Sequence, residues 1–319
     1  MGKHLVIVLQ DQTNIQELFG ANDGNLSVFE DLLGVHVYFR GNKVYLDSED
    51  EEIHQTFKSM LSQLEEHIKL GQLPGPDLIR AVHHSLYSSD EQEADILKGC
   101  HVIIPKGQKK VFPRSYNQAV YLKAIEDSDM VFGIGPAGTG KTYLAVAKAL
   151  KEVISHKKRK LILTRPIVEA GENLGFLPGD LAQKISPYLR PLYDAMESLI
   201  PLETVRKLED NGIIEIAPLA YMRGRTLSDC FIILDEAQNT TREQIKMFLT
   251  RIGEGSRTIV TGDITQIDLS RRRNSGLLNV ISILKSIEEI QFIFFGEQDV
   301  VRHPLVRKII HAYENAQDQ

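Results

Sequence analysis

Residues 135–142 read Gly135-Pro136-Ala137-Gly138-Thr139-Gly140-Lys141-Thr142, which fits the spacing G-x-x-x-x-G-K-[ST]. No other stretch constrains the fold as tightly. Its glycines let backbone N–H groups close around phosphate oxygens, and the following helix N-terminus adds positive potential. The pattern works where a strand enters the loop and a helix leaves it. Both flanks qualify: VFGI (131–134) is a buried-strand pattern, and TYLAVAKALKEVIS opens as a helix. On that reading Lys141 reaches the β- and γ-phosphates of a nucleotide and Thr142 meets a Mg²⁺ ion. A nucleotide and Mg²⁺ are therefore the expected ligands.

Beyond the loop, LILT (161–164), FIIL (231–234), TIVT (258–261) and FIFF (292–295) repeat the short apolar run, with helical patterns between them. Such runs are strands buried on both faces, so residues 101–319 are expected to form an α/β domain with a mainly parallel sheet. Residues 1–100 differ. LVIVL (5–9) and VHVYF (35–39) read as strands, with the helical NLSVFEDLLG between them and Gly34 as its stop. RGN (40–42) turns into KVYLD, and EEIHQTFKSMLSQLEEHIKLG follows as an amphipathic helix. A small α+β domain with a connecting helical segment is expected there.

Charge breaks at the same place. Residues 1–100 carry 7 Lys and Arg against 17 Asp and Glu, and the rest of the chain carries 30 against 26. Basic clusters lie at KGQKK (106–110), KKRK (157–160) and RRR (271–273), each equally readable as solvated surface. Cys100 and Cys230 have no metal-type spacing and read as free thiols. No stretch approaches the ~20 apolar residues of a membrane helix, so no membrane partner is expected and the chain is read as cytoplasmic.

Four further segments bear on chemistry. FIILDEAQN (231–239) ends a strand in Asp235, where a carboxylate can hold Mg²⁺ through water, and places Glu236 next to it to orient or deprotonate an attacking water. TGDITQID (261–268) brings Asp263 and Gln266 to another strand end, facing the γ-phosphate position. Gln118 in PRSYNQAVYL can read an adenine edge, its amide donating and accepting at once, or can be a helix-surface glutamine. Charge building up on a transferring phosphate calls for an arginine, and the candidates are Arg223 and Arg225 in YMRGRTL and Arg302 in VVRHPLV. TRPIVEAGENLGFLPGD (164–180) is a Gly-, Pro- and acid-rich excursion between strands.

The set PRSYNQA, GPAGTGKTYLA, TRPIVEAGENLGFLPGD, PLAYMRGRT, FIILDEAQN, TGDITQID and VVRHPLV, in this order over residues 100–319, resembles the PhoH-like ATPase family. It is similar also to the first motor half of superfamily 1 helicases. The resemblance implies a RecA-like P-loop NTPase core, ATP binding with hydrolysis, a link to RNA metabolism, and oligomeric assembly, a ring being one form. The N-terminal region resembles a KH-type RNA-binding module through LFGANDGNLSVFEDLLGVHVYF, although Gly20 and Gly24 stand one residue further apart than a Gly-x-x-Gly clamp and enclose Asp23.

Three functions compete on this reading. The first is an ATPase with RNA as partner. Residues 135–142 hold MgATP in it, Asp235 supports the metal, Glu236 activates water, and an arginine acts in cis or from a second copy. A motor that closes two such domains around ATP needs a second domain, from another copy or another protein, and a homo-oligomer is the expectation. Any linked nuclease activity belongs to a partner, because the sequence shows no metal-binding carboxylate cluster outside the phosphate site. The second is a nucleotide-gated RNA-binding or scaffold protein with negligible turnover, which has no need of Glu236. The third is a small-molecule phosphotransferase, for which RRRNSG (271–276) is the candidate lid.

Overall fold

A computed structural model of the chain describes residues 5–9, 12–87, 93–105, 109–167, 181–268 and 275–301, with 305, 306 and 309. These fall into two compact units. The first takes the described residues up to Cys100 together with Phe112–Ala119; the second takes His101–Val111 and the described residues from Val120 onward.

The first unit runs β1 (Leu5–Val8), α1 (Gln12–Phe19), α2 (Leu26–Leu33), β2 (Val37–Arg40), β3 (Lys43–Leu46), α3 (Glu51–Lys69), α4 (Pro76–Leu86) and α5 (Glu93–Gly99). Its antiparallel sheet has the order β1-β3-β2. Alternation sends Val37, Val44 and Leu46 inward, where they join Phe19, Phe29 and Phe57 in one core. Phe29 meets Phe19 and Phe57 edge-on, with centroids 5.8 and 5.7 Å away. Gly34 closes α2 in the left-handed region (φ 68°), as its position after LSVFEDLL predicts. Asp50 caps α3 by accepting from Glu52 N at 2.8 Å, and Pro76 opens α4, where a missing N–H costs nothing. The α1–α2 connection holds Gly20 (φ 74°) and also turns Asn22 and Asp23 to positive φ.

The helix α6 (Tyr116–Asp127) begins in the first unit and ends in the second. The second unit opens with a two-stranded antiparallel ribbon, β4 (Val102–Ile103) with β5 (Lys110–Val111). Then come β6 (Met130–Ile134), α7 (Lys141–Ile154), β7 (Lys160–Arg165), α8 (Leu181–Glu197), α9 (Leu202–Asp210) and β8 (Ile214–Pro218). They are followed by β9 (Cys230–Leu234), α10 (Arg242–Leu249), β10 (Arg257–Gly262), α11 (Gly276–Leu284) and β11 (Ile290–Phe294). The six long strands order as β11-β6-β10-β9-β7-β8, every pair parallel. All five residues of β9 are buried, as are four of five in β6, which is the burial of a parallel sheet covered on both faces.

Two consequences place the site. Parallel strands bring all their carboxyl ends to one edge, where open α/β sheets bind ligands. And β10 lies between β6 and β9, so three strand ends converge: the glycine loop, the Asp235-Glu236 pair and Asp263. The strand β8 was not anticipated in the sequence. IEIAP is short, alternating and closed by a proline, and it forms the sheet's outer edge beyond β7. Among the described residues no helix is long and apolar enough to cross a membrane.

Candidate nucleotide site

The loop between β6 and α7 turns through three glycines at positive φ: Gly135 (153°), Gly138 (84°) and Gly140 (78°). At Gly135 no side chain fits, because a Cβ would sit 2.5 Å from the Phe295 carbonyl oxygen. The loop is tied to its neighbours: Gly135 N donates to Gly262 O at 3.0 Å and Val301 N to Gly138 O at 2.9 Å. Lys141 is 8% exposed, and its ammonium donates to the carbonyls of Gly135 and Pro136, each at 2.7 Å, and to Thr139 Oγ1 at 3.1 Å.

Asp235 follows the last residue of β9, and its N–H continues the ladder to Thr164 O at 2.9 Å. Two hydroxyls donate to its Oδ1: Thr142 from the loop helix at 2.7 Å and Thr261 from β10 at 2.6 Å. A threonine hydroxyl against a carboxylate is a hard-oxygen donor set, and that is what Mg²⁺ takes from protein when substrate phosphates supply its other ligands. One loop amide also meets an anionic group. Ala137 N donates to Asp263 Oδ2 at 3.1 Å, so a carboxylate oxygen already rests on the loop. Nucleotide phosphate and Mg²⁺ both fit the residues present.

Glu236 holds a left-handed backbone (φ 54°, ψ 39°), uncommon for a residue with a side chain and concentrated at functional sites. Its carboxylate is gripped from two sides. Arg165, at the end of β7, pairs with Oε1 at 3.3 Å, and the Gln238 amide donates to Oε2. Gln238 is 1% exposed, and its own oxygen accepts from Asp263 N at 3.0 Å. Asp263 in turn accepts through Oδ1 from Thr265 N and Oγ1, at 2.9 and 2.6 Å. A continuous path of hydrogen bonds and one ion pair therefore runs from Arg165 through Glu236, Gln238 and Asp263 to the loop amide of Ala137. Burial, and next the Asp235 charge, push the Glu236 carboxyl above the ordinary range; Arg165, Gln238 and Lys141 oppose them without cancelling them. The Tyr121 phenol, fully buried, is pushed up strongly by desolvation and then by Asp235.

The cleft over these groups holds about 270 Å³ and is lined by Ala137, Gly138, Gly140, Lys141 and Thr142 of the loop together with Asp235, Glu236, Asp263 and Gln266. Gln266 is exposed there, its N–H on Asp263 O at 3.1 Å. Three other sequence candidates are not among the cleft's lining residues. Arg225 does not line the cleft; its guanidinium forks onto both oxygens of Glu215 in β8, Nη1 to Oε1 at 2.5 Å and Nη2 to Oε2 at 3.0 Å. Arg223 is exposed and also absent from the lining. Gln118 belongs to the first unit, 3% exposed, with its amide oxygen accepting from Arg114 N at 2.7 Å. Arg302, residues 168–180 and residues 271–274 lie outside the described residues.

Sequence reasoning missed Arg165, Gln238 and Thr261. The available signal was position: Arg165 and Thr261 sit at the ends of strands flanking β9, and Gln238 completes the DEAQ segment.

A parallel sheet with a glycine-lysine-threonine loop after one strand and an acidic pair after another, a third strand lying between them, defines a RecA-like P-loop NTPase, a nucleotide-binding fold. Comparison with known proteins narrows the class. The family model described as PhoH-like protein matches residues 110–314. A PhoH-like protein of Bacillus subtilis (strain 168) is 46% identical over 98% of this chain and 99% of its own. One from Mycobacterium tuberculosis (strain H37Rv) is 48% identical over 93% of this chain and 84% of its own. Protein PhoH of Escherichia coli K12 is 45% identical over 64% of this chain and 58% of its own. The chain belongs to the PhoH-like family.

Proposed function

We propose that the protein is a Mg²⁺-dependent ATPase whose turnover is coupled to single-stranded RNA. The carrying observation is Glu236, a second carboxylate directly after Asp235, raised in pKa and held by Arg165 and Gln238 at the mouth of the loop. A protein that only holds nucleotide has no need of a positioned base beside its metal ligand.

The roles follow from the groups. Loop amides after Pro136, up to Thr142, bind phosphate oxygens, and Lys141, whose ammonium now rests on the loop's own carbonyls, transfers to the β- and γ-phosphates. Thr142 and Asp235 would hold Mg²⁺, which would supply positive charge to offset that of the phosphate oxygens. Glu236 orients a water at the γ-phosphate and accepts its proton. Asp263, tied to the loop at Ala137 N, and Gln266 respond to the γ-phosphate. The arginine for the developing charge is Arg302 or Arg223, from the same or a second copy, since Arg225 is committed to Glu215. Oligomerisation and the RNA link rest on the family resemblance and are part of the proposal.

The test is steady-state phosphate release from ATP, with and without single-stranded RNA, for the wild type and Glu236→Gln. Release stimulated by RNA and abolished in the variant supports the reading. ATP binding with no turnover in either protein hands the site to a nucleotide-gated switch.

A further inference from the structure

In an antiparallel sheet with one face on a core, the outward positions are ordinarily polar. The N-terminal sheet departs from this. Its register sets two outward rows, Val6–Tyr45–Tyr38 and Val8–Lys43–Arg40. Val6 is 45% exposed, Val8 56% and Tyr38 37%. The Tyr38 and Tyr45 rings stack across the strands, 4.9 Å between centroids and 3° between planes. The exposed ring of His36 extends the stack, 5.7 Å from Tyr38, with its Nδ1 on Glu30.

The second row carries the stronger signal. Arg40 and Lys43 are direct cross-strand partners, both exposed. Like charges placed opposite each other on a sheet destabilise it. Among the described residues neither side chain has an ion-pair or hydrogen-bond partner. The twelve strand residues contain no acid, in a region that holds 17 acids against 7 bases. An anionic ligand would relieve that repulsion.

We propose that this face binds single-stranded nucleic acid, with Tyr38 and Tyr45 taking bases and Arg40 and Lys43 taking phosphates. Aromatic rings beside cations on an open sheet suit exposed bases and a charged backbone; a duplex presents its bases stacked and paired. The site is separate from the α1–α2 connection, whose Gly20 and Gly24 enclose Asp23 and no cation. The inference stands on the sheet alone and goes beyond the ATPase reading.

The experiment titrates a fluorescently labelled uridine 12-mer with the full chain, in the wild type, the Tyr38→Ala/Tyr45→Ala double variant and the Tyr38→Phe/Tyr45→Phe double variant. Arg40→Gln/Lys43→Gln is the charge control, and thermal melts confirm folding. The expected result is a Kd at least about 10-fold weaker for the alanine variant, retained by phenylalanine, with a shallower salt dependence in the charge variant. The chain has 10 tyrosines and no tryptophan, so oligonucleotide binding also quenches tyrosine emission. Alanine variants that bind like wild type, or equal binding of the matching duplex, overturn the proposal, as does a wild type that binds no 12-mer. RNA stimulation of phosphate release together with wild-type 12-mer affinity in a folded alanine variant removes the platform and leaves the ATPase reading intact. Binding through the tyrosines without any effect on phosphate release supports the platform and removes the coupling.

Discussion

Gln238 and Asp263 fix each other across two strand ends: the Gln238 carboxamide oxygen accepts from Asp263 N at 3.0 Å, which leaves its amide hydrogens directed to Glu236. The backbone donor settles the orientation of the amide, so the carboxylate of Glu236 is held by a group that cannot turn without losing a buried bond. Leu277 and Gln238 also crowd Gly262, where a Cβ would meet Leu277 Cδ2 at 2.5 Å and Gln238 Oε1 at 3.1 Å. The bridge is therefore packed into place as well as hydrogen-bonded.

Removing that bridge is expected to impair turnover more than binding. Gln238→Ala leaves the Asp263 N–H without its acceptor and Glu236 held by Arg165 alone. A reacting group displaced by about 1 Å can lose on the order of 100-fold in rate. We expect kcat to fall by about 10–100-fold, ATP affinity to change less than about 3-fold, and stability to drop by about 1–3 kcal/mol. Phosphate-release kinetics and a urea melt read the three quantities. An unchanged kcat would remove Gln238 from the mechanism.

Glu236 makes a pH argument with two signs. Its carboxyl is raised by burial and then by Asp235. As a base it works ionised, so the rate is expected to fall on the acid side at a pH above the ~4.3 of an ordinary glutamate. For stability, a raised folded-state pKa gives a contribution present below the unfolded pKa and lost as pH rises through the folded one. Glu236→Gln should therefore melt higher than wild type at pH 7, with the gap closing below about pH 4. A variant less stable at pH 7 contradicts this.

Glu215 has the opposite sign. Arg225 first and Lys160 next pull its carboxyl down to about 2 against its burial. Its stabilising contribution is present above the ordinary glutamate range and is lost as pH falls towards 2. Glu215→Gln is expected to cost about 1–2 kcal/mol at pH 7, discounted for partial exposure, and less at pH 3. Urea melts at the two pH values decide it; an equal cost at both would assign the effect to packing.

The metal half of the site is tested at Thr142, whose hydroxyl meets Asp235 Oδ1 at 2.7 Å. Thr142→Ala should raise the Mg²⁺ concentration for half-maximal turnover by about 10-fold or more, and Thr142→Ser should restore it. Equal Mg²⁺ dependence in all three proteins would separate Thr142 from the metal.

Some of this was legible before any coordinates. The loop, Asp235, Glu236 and Asp263 could be read because each follows an apolar run that only a buried strand explains, and parallel strands gather their carboxyl ends. Arg165 and Gln238 could not be assigned that way. Their partners come from other strand ends, and strand order, with β10 between β6 and β9, is not written in any local pattern. Arg225 shows the same gap from the other side. Its partner lies in β8, a five-residue edge strand ending in proline, whose alternation is too short to mark it as a strand. In the first unit, Gly34 and the hairpin at residues 40–42 were readable from turn chemistry. The exposed tyrosine stack needs the register that pairs Tyr38 with Tyr45.

The most direct test of the central claim is single-turnover and steady-state phosphate release by the full chain with Mg²⁺, compared with Glu236→Gln at matched ATP occupancy. The expected result is a rate at least about 100-fold lower in the variant with ATP affinity preserved. Turnover that survives the substitution at a similar rate would contradict the assignment of Glu236, and with it the account of the site as one built for hydrolysis.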